Sequence, residues 1–209
     1  MKLTFISDTH NKHDFIRVEE TDILFHTGDM SSRGKLPEIK AFLHWFNKQP
    51  AKHKVLIAGN HDWLFAKEPN TAKMLLEEYP SITYLQDSLI TIENLRIYGS
   101  PWQPRFYDWA FNADDEKLYR LWDMIPGHTD VLLTHGPPYK FLDLTRDGRN
   151  VGCEGLKYHV LKRVKPMIHA FGHIHEARLK LKFDDTTFIN SCCLDENYKF
   201  KNEPIIVHI

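Results

Sequence analysis

Cysteine is scarce in this chain. There are only three cysteines, and two of them, Cys192 and Cys193, are neighbours in the sequence. An odd count leaves one thiol unpaired, and adjacent cysteines can bridge only with strained geometry, so the sequence predicts no disulfide framework. Because disulfides persist mainly in oxidising compartments, this pattern favours a reducing cytoplasm.

The chain also lacks a long apolar run and an excess of charge of either sign. No stretch approaches the roughly 20 apolar residues of a membrane-spanning helix, and the apolar segment after Met1 is too short for a secretory signal. The formal net charge is -1. We therefore expect neither a nucleic-acid polymer nor an anionic membrane surface as a partner.

The overall composition is that of an ordinary globular protein. The chain has 209 residues, of which 42% are hydrophobic and 26% are charged, which is enough for one sizeable core. No internal repeat, low-complexity stretch or linker interrupts it. Residues 1–209 are therefore predicted to form a single domain.

Strand-like and helix-like patterns alternate along the first part of the chain. Strands are predicted at 3–6, 22–27 and 54–58, with a helical pattern over 36–46, and this order is typical of a βαβ unit. Further helices are predicted at 71–79, 114–124 and 155–164, and further strands at 82–85, 88–92, 95–98, 130–134, 167–171, 177–183, 186–190 and 204–209. Parallel crossovers followed by hairpins predict an α/β (α+β) fold: two mixed β-sheets packed face to face and flanked by helices, a four-layer αββα sandwich.

Five short motifs rich in Asp, His and Asn follow predicted strands. They are Asp8-Thr9-His10, Gly28-Asp29, Gly59-Asn60-His61-Asp62, Thr134-His135-Gly136 and Gly172-His173-Ile174-His175. Open α/β folds bind ligands at the carboxyl ends of their strands, so we expect the motifs to converge at one edge. Seven side chains are candidate metal ligands: Asp8, His10, Asp29, Asn60, His135, His173 and His175.

The ligand types indicate which ions would bind. Carboxylate, imidazole and amide oxygen together suit borderline divalent cations such as Mn²⁺, Fe²⁺ or Zn²⁺. The side chains of Asp8 and His10 are two residues apart, so on extended backbone they lie on the same face and can hold one ion together. Asp29 can offer two oxygens, which makes it the natural bridge between two ions.

Each motif taken alone has an ordinary structural explanation. An Asp-x-His or Gly-Asp sequence after a strand is often a turn or a helix cap, and the glycines before Asp29, Asn60 and His173 can mark tight turns. Asp62 is expected either to accept a hydrogen bond from a nearby donor or to cap a helix. The metal hypothesis depends on the joint occurrence of five motifs with complementary ligand types.

As an ordered set, these motifs resemble the signature of the calcineurin-like metallophosphoesterase superfamily: Asp-x-His, Gly-Asp, Gly-Asn-His-(Asp/Glu), a lone His and Gly-His-x-His. Further segments resemble its branch of metallophosphoesterase-domain-containing proteins, which are small class III phosphodiesterase-like enzymes. These segments are 100–104, 109–112, 134–138, 151–153 and 202–206.

The resemblance implies a site with two divalent metal ions. The first would be bound by Asp8, His10, Asp29 and His175, and the second by Asp29, Asn60, His135 and His173, with manganese expected first and iron, zinc, nickel, cobalt or magnesium as alternatives. It further implies in-line attack on phosphorus by a hydroxide held between the ions. Asp29 and His61 are then the candidate catalytic residues, His61 acting near the leaving-group oxygen; its alternative role is to orient a metal ligand.

Three residues are candidates for substrate contact. The segment 28–34 resembles the protein-phosphatase pattern Gly-Asp-x-x-Asp-Arg-Gly, except that Ser32 replaces the second aspartate. Arg33 could therefore clamp a phosphate oxygen or be an ordinary surface arginine. In the aromatic segment 99–112, Trp102 and Phe106 are candidates for stacking on substrate, with core packing as the alternative.

The predicted function is a dinuclear metal-dependent phosphodiesterase of the cytoplasm. Its expected partner is a small-molecule phosphoester, such as a nucleotide-like or cyclic nucleotide phosphodiester. Two alternatives remain open: a phosphomonoesterase of the same fold, because the motifs serve both reactions, and a catalytically weak nucleotide-binding regulator.

Overall fold

The secondary structure consists of thirteen strands and five α-helices, in a computed structural model that describes residues 1–209. The strands are β1 (Lys2–Ile6), β2 (Thr21–Thr27), β3 (Ala51–Ile57), β4 (Ile82–Tyr84), β5 (Ser88–Ile92), β6 (Leu95–Ser100), β7 (Gln103–Pro104), β8 (Asn112–Ala113), β9 (Val131–Thr134), β10 (Ile168–Phe171), β11 (Leu179–Phe183), β12 (Thr186–Asn190) and β13 (Ile205–His208). The helices are α1 (Leu36–Asn47), α2 (Trp63–Lys67), α3 (Pro69–Glu77), α4 (Asp115–Asp123) and α5 (Glu154–Tyr158).

Two large sheets form the centre of the fold. The first has the order β13-β1-β2-β3-β4, and the second has the order β11-β12-β10-β9-β6-β5. In the first sheet β1 to β4 are parallel and β13 is an antiparallel edge strand. In the second, β12, β10, β9 and β6 are parallel, while β11 and β5 are antiparallel edges. Both sheets are mixed, as the sequence predicts.

Successive side chains of a strand point to opposite faces of its sheet and therefore pack in different layers of the fold. Phe5 and Phe25 stack at a centroid distance of 4.8 Å and belong to a buried cluster that includes Val131 and Ile168 of the second sheet. The neighbouring Leu24 belongs instead to a cluster with residues of α1 and α3. A third cluster packs α4 and α5 against the outer face of the second sheet. The resulting order is helices, sheet, sheet, helices, which confirms the predicted αββα arrangement.

The helices depart from prediction in two places. The predicted helix 155–164 is α-helical only in α5 and continues as a π-helical turn, His159–Val164. There Arg163 donates to the carbonyls of Ile125 and Trp122 at 2.6 Å each, which ties the turn to the end of α4. Helix α2 was not predicted because five residues are too few for a periodic apolar pattern. None of the helices has the length and apolar character needed to cross a membrane.

Five parallel strands end directly before the five motifs. β1, β2 and β3 of the first sheet precede the motifs at 8–10, 28–29 and 59–62, and β9 and β10 of the second sheet precede those at 134–136 and 172–175. A bridge between Ser7 and Cys192 joins the two sheets at this edge. The strand order therefore places all five motifs on one side of the molecule.

Candidate metal centre

The candidate ligands form three overlapping groups at this edge. Within each group the ligand atoms lie within 4.8 Å of one another. The groups are Asp8, His10 and His175; His10, Asp29 and His61; and Asp29, His135 and His173. The amide oxygen of Asn60 joins the third group, because it lies 2.9 Å from His135 Nε2. The structure thus brings all seven predicted ligands together, and His61 lies beside them.

A single oxygen atom of Asp29 lies between the first and the third of these ligand groups. Its Oδ2 atom is 3.7 Å from His10 Nε2, 3.9 Å from His61 Nε2 and 3.4 Å from His135 Nε2. Its Oδ1 atom accepts a hydrogen bond from the backbone N–H of His61 at 2.8 Å. Both oxygens of Asp29 are candidate metal ligands from sequence, whereas in the structure Oδ2 is the oxygen that faces the three imidazoles and would be available to the ions.

Asp8 is held in place in a similar way. Its Oδ2 atom accepts hydrogen bonds from Ser7 Oγ at 2.5 Å, from Cys192 Sγ at 3.2 Å and from the backbone N–H of His173 at 3.0 Å. Its Oδ1 atom is 3.4 Å from His175 Nε2. Oδ2 therefore makes most of the positioning contacts, whereas Oδ1 is directed towards the imidazoles and shares only the backbone N–H of His173, at 3.2 Å. The contact from Cys192 has no signal in the sequence, because only tertiary packing brings this residue to the carboxylate of Asp8.

Backbone carbonyls fix the orientation of four imidazoles. The Nδ1 atom is within hydrogen-bond distance of a carbonyl in His10 (Ser31, 3.2 Å), His61 (Ser32, 2.8 Å), His135 (Thr27, 3.0 Å) and His175 (Asp195, 2.9 Å). A carbonyl oxygen can only accept, so Nδ1 must carry the proton in each ring. Nε2 is consequently the atom that can bind a metal ion; in His135 it must first lose the proton that it donates to Asn60 Oδ1 at 2.9 Å.

The backbone of the site is strained. Asp8, His10, Asp29 and His173 all have positive φ angles, between 39° and 66°, in a region that residues other than glycine rarely adopt. Gly172 permits the close approach of Asp8, because a Cβ atom at this position would lie 1.9 Å from Asp8 Oδ2. The glycine before His173 thus provides space for a ligand as well as a turn.

Asp62 ties two of the motifs together. Its Oδ2 accepts from the backbone N–H groups of Asp29 (2.9 Å), Gly59 (2.8 Å) and Met30 (3.3 Å). Its Oδ1 accepts from Ser31 N and Oγ, at 3.1 and 2.7 Å. Asp62 precedes α2, but its side chain makes no capping bond to that helix. Of the two roles considered from sequence, the structure shows the acceptor role.

The electrostatics of the site favour a cation. Burial lowers the pKa of His10 to about 4, even though Asp29 and Asp8 act in the opposite direction. Burial would raise the pKa of Asp29, but the neighbouring His135 and His61 outweigh it and hold that pKa well below its usual range. For His135 burial lowers the pKa, and Asp29 more than compensates, giving about 9. Buried ionised carboxylates require positive partners.

The residues present fit two divalent cations. His10 Nε2 is buried and has no hydrogen-bond partner, although it faces Asp8 Oδ1 at 3.8 Å and Asp29 Oδ2 at 3.7 Å. A metal ion between these atoms would satisfy all three. The mixture of carboxylate, imidazole and amide ligands suits borderline divalent ions.

The predicted substrate contacts have different locations. Arg33 lines a cavity beside His10 and His61, and Phe106 lines a second cavity beside His173. Trp102 lines neither cavity: its indole N–H donates to Asp87 at 2.8 Å and its ring packs against Phe111. For Trp102, the structure therefore shows the alternative, core packing. Six residues of the first cavity were missed by sequence reasoning: Lys12, Ser32, Lys35, Trp63, Trp109 and Tyr198.

Comparison with known proteins agrees with this geometry. Residues 1–177 match the model of the calcineurin-like phosphoesterase family. The chain is 38% identical to metallophosphoesterase domain-containing protein 1 of Homo sapiens, with coverage of 98% of this chain and 69% of the relative. It is 34% identical to the UPF0046 protein T07D4.2 of Caenorhabditis elegans, with coverage of 100% and 60%.

A solved structure supports the fold. The protein TT1561 of Thermus thermophilus superposes with a TM-score of 0.64 at 10% identity, covering 90% of this chain and 88% of that one. At this low identity the similarity concerns the fold alone. Together with the family match over residues 1–177, the αββα layers and the buried Asp and His groups show that this chain belongs to the calcineurin-like phosphoesterase family.

Proposed function

We propose that this protein is a dinuclear metal-dependent phosphodiesterase that hydrolyses small nucleotide-like or cyclic nucleotide phosphodiesters. The observation that carries the proposal is the position of Asp29 Oδ2, which lies 3.7 Å from His10 Nε2 and 3.4 Å from His135 Nε2 and so faces both ligand groups. Divalent ions held by these groups would supply Lewis-acid chemistry, by neutralising charge on the phosphoryl oxygens and activating water.

His61 is the candidate general acid. Its Nδ1 atom is bound to the carbonyl of Ser32 at 2.8 Å, so Nε2 is the atom that can give a proton to the departing oxygen. The ring stacks on Trp109 at a centroid distance of 4.2 Å, which fixes its orientation. His61 also lines both cavities beside the cluster.

The two cavities favour a small diester. Their volumes are about 690 Å³ and 420 Å³, within the usual range for small-molecule sites. Both are lined by His61 and Tyr198, so a phosphate at the cluster could direct one substituent into each. The chain carries a formal net charge of -1, and we propose a small phosphoester rather than a nucleic-acid polymer as partner. The three free, buried cysteines are consistent with the cytoplasm as the proposed location.

Removal of the shared carboxylate tests the proposal. We expect Asp29→Ala and His135→Ala to abolish hydrolysis of bis(p-nitrophenyl) phosphate with Mn²⁺ present, because each removes a ligand that the cluster needs. Elemental analysis should show reduced metal content in both variants. His44→Ala, at an exposed position on α1, is the control and should retain wild-type rates. Undiminished hydrolysis by Asp29→Ala would overturn the proposal.

Diester specificity needs a separate comparison. We expect the wild-type protein to hydrolyse bis(p-nitrophenyl) phosphate faster than p-nitrophenyl phosphate under the same conditions, because the monoester leaves one cavity empty. A preference for the monoester would favour a phosphomonoesterase. Saturable nucleotide binding without product release from either ester would favour a regulator.

A further inference from the structure

A cavity beside the cluster has a distinctive charge. This cationic cavity, as we name it, has a volume of about 690 Å³ and lies next to His10 and His61. Three cations line it, Lys12, Arg33 and Lys35, together with three aromatic residues, Trp63, Trp109 and Tyr198. The lining residues come from separate segments of the chain, so only the fold assembles the cavity.

The three cations have no acidic side-chain partner. None of them forms an ion pair within 4.0 Å. The ammonium group of Lys12 donates only to the backbone carbonyl of Tyr198, at 2.6 Å. The nearby Glu38 is already engaged, since its carboxylate accepts from the backbone N–H groups of Arg33 and Lys35 at 3.1 and 3.0 Å and from Asn11 at 2.8 Å. Glu38 offsets part of the charge of Lys35, but three cations and one carboxylate leave this region with a net positive charge. In a protein with a formal net charge of -1, such a region is suited to an anion.

The aromatic side chains supply planar surfaces beside these cations. Trp109 stacks on His61 with an interplanar angle of 27°, and Lys67 lies 4.0 Å above the ring of Trp63. Both indoles are partly exposed, and Tyr198 is 45% exposed. Partly exposed aromatic rings next to lysine and arginine are typical of sites that hold a nucleobase together with phosphate groups.

The second cavity, beside His173, differs in charge. Its cations, Arg105 and Arg149, are accompanied by three acidic residues, Glu176, Glu196 and the cluster residue Asp29. Arg149 also forms an ion pair with Asp147 at 2.6 Å. The charges of the second cavity are balanced within the protein. An additional anion on the substrate would therefore gain little binding free energy there.

We propose that the cationic cavity binds one ester substituent of the substrate and selects a substituent that carries both a planar ring and a second anionic group, as in a nucleoside with an additional phosphate. This inference rests on the proposed function, because His10 and His61 place the cavity directly beside the reacting phosphate. The cations would bind the second anion, and the indole rings would pack against the base.

Calorimetric titration tests the inference without relying on turnover. The protein as isolated would be titrated with adenosine 5′-monophosphate and with adenosine 3′,5′-bisphosphate, and chromatography would verify that the ligands stay intact. We expect the bisphosphate to bind about tenfold more tightly, the scale of one charge-assisted contact. In Arg33→Gln/Lys35→Gln this preference should disappear. The matched control is Arg17→Gln/Lys48→Gln, which removes the same charge at exposed positions outside the cavity and should keep the preference.

The outcomes separate this inference from the proposed function. Equal binding of the two nucleotides by the wild-type protein would overturn the inference, and so would an equal loss of preference in the control. Neither result would affect hydrolysis of bis(p-nitrophenyl) phosphate by the wild-type protein, which tests the proposed function. The converse result is also possible: no hydrolysis, with the bisphosphate preference kept in the wild-type and control proteins and lost in Arg33→Gln/Lys35→Gln. In that case the cavity assignment stands and the proposed function fails.

Discussion

The metal cluster and the cationic cavity share His10 and His61 but are built in opposite ways. In the cluster, Asp8 and Asp29 are buried and each has an oxygen fixed by hydrogen bonds. In the cavity, Arg33 and Lys35 are exposed, and no ion pair holds their charged groups. Buried charge requires a fixed and fully bonded environment, whereas exposed charge in water does not. The cluster is therefore suited to rigid placement of ions, and the cavity rim can adjust to different ligands.

His61 lies where the two regions meet, and its removal should produce the largest effect. We expect His61→Ala to lower the rate of diester hydrolysis by about 10²- to 10⁴-fold, the usual contribution of a general acid, while leaving bound metal unchanged. Steady-state rates combined with elemental analysis measure both quantities. Loss of metal would instead make His61 a ligand, as its position near His10 and Asp29 allows.

A substitution at Asp62 tests whether the positions of the metal ligands depend on the hydrogen bonds that Asp62 accepts. In Asp62→Asn an amide group replaces one acceptor oxygen, so at least two of the donors now bound by Asp62 lose their acceptor. We expect metal affinity to fall about 10- to 100-fold and the free energy of unfolding to fall by about 2 kcal/mol. Metal titration and chemical denaturation measure the two effects.

The matched control for this change is Asp143→Asn. Asp143 is also buried and accepts from the backbone N–H groups of Lys140 and Gly152, both at 2.9 Å, away from the cluster. This variant should lose stability and keep its metal affinity. If both variants reduce metal affinity equally, Asp62 has no specific role in positioning the ligands.

Gly172 should give the smallest of these effects. In Gly172→Ala the new methyl group would lie 1.9 Å from Asp8 Oδ2, so Asp8 or the loop must move. We expect about a tenfold loss of metal affinity, at the lower end of the range for disturbed ligand support. Gly127→Ala is the control, because nothing lies within 4 Å of a Cβ atom there. Unchanged metal affinity in Gly172→Ala would show that Asp8 needs no fixed position.

The aromatic segment 99–112 illustrates the limit of sequence reasoning. Trp102 is a candidate for substrate contact from sequence, but the structure packs its ring against Phe111 and Lys117. Trp109, seven residues later, stacks on His61 and lines the cationic cavity. Composition identified an aromatic segment near the site. Which of its rings faces the cavity depends on loop conformation, for which the sequence has no periodic signal.

The sequence by itself determined the layers of the fold and the order of the ligand motifs. Alternating apolar residues define the buried strands, and parallel strands bring the residues at their carboxyl ends to one edge, so the motifs could be located without coordinates. Only the tertiary structure decided how the ligands are held. The carbonyls of Thr27, Ser31 and Asp195 that orient the imidazoles, and the thiol that contacts Asp8, come from residues distant in sequence from their partners. Such contacts depend on distances of a few ångströms between separate loops, and only packing of the whole chain sets those distances.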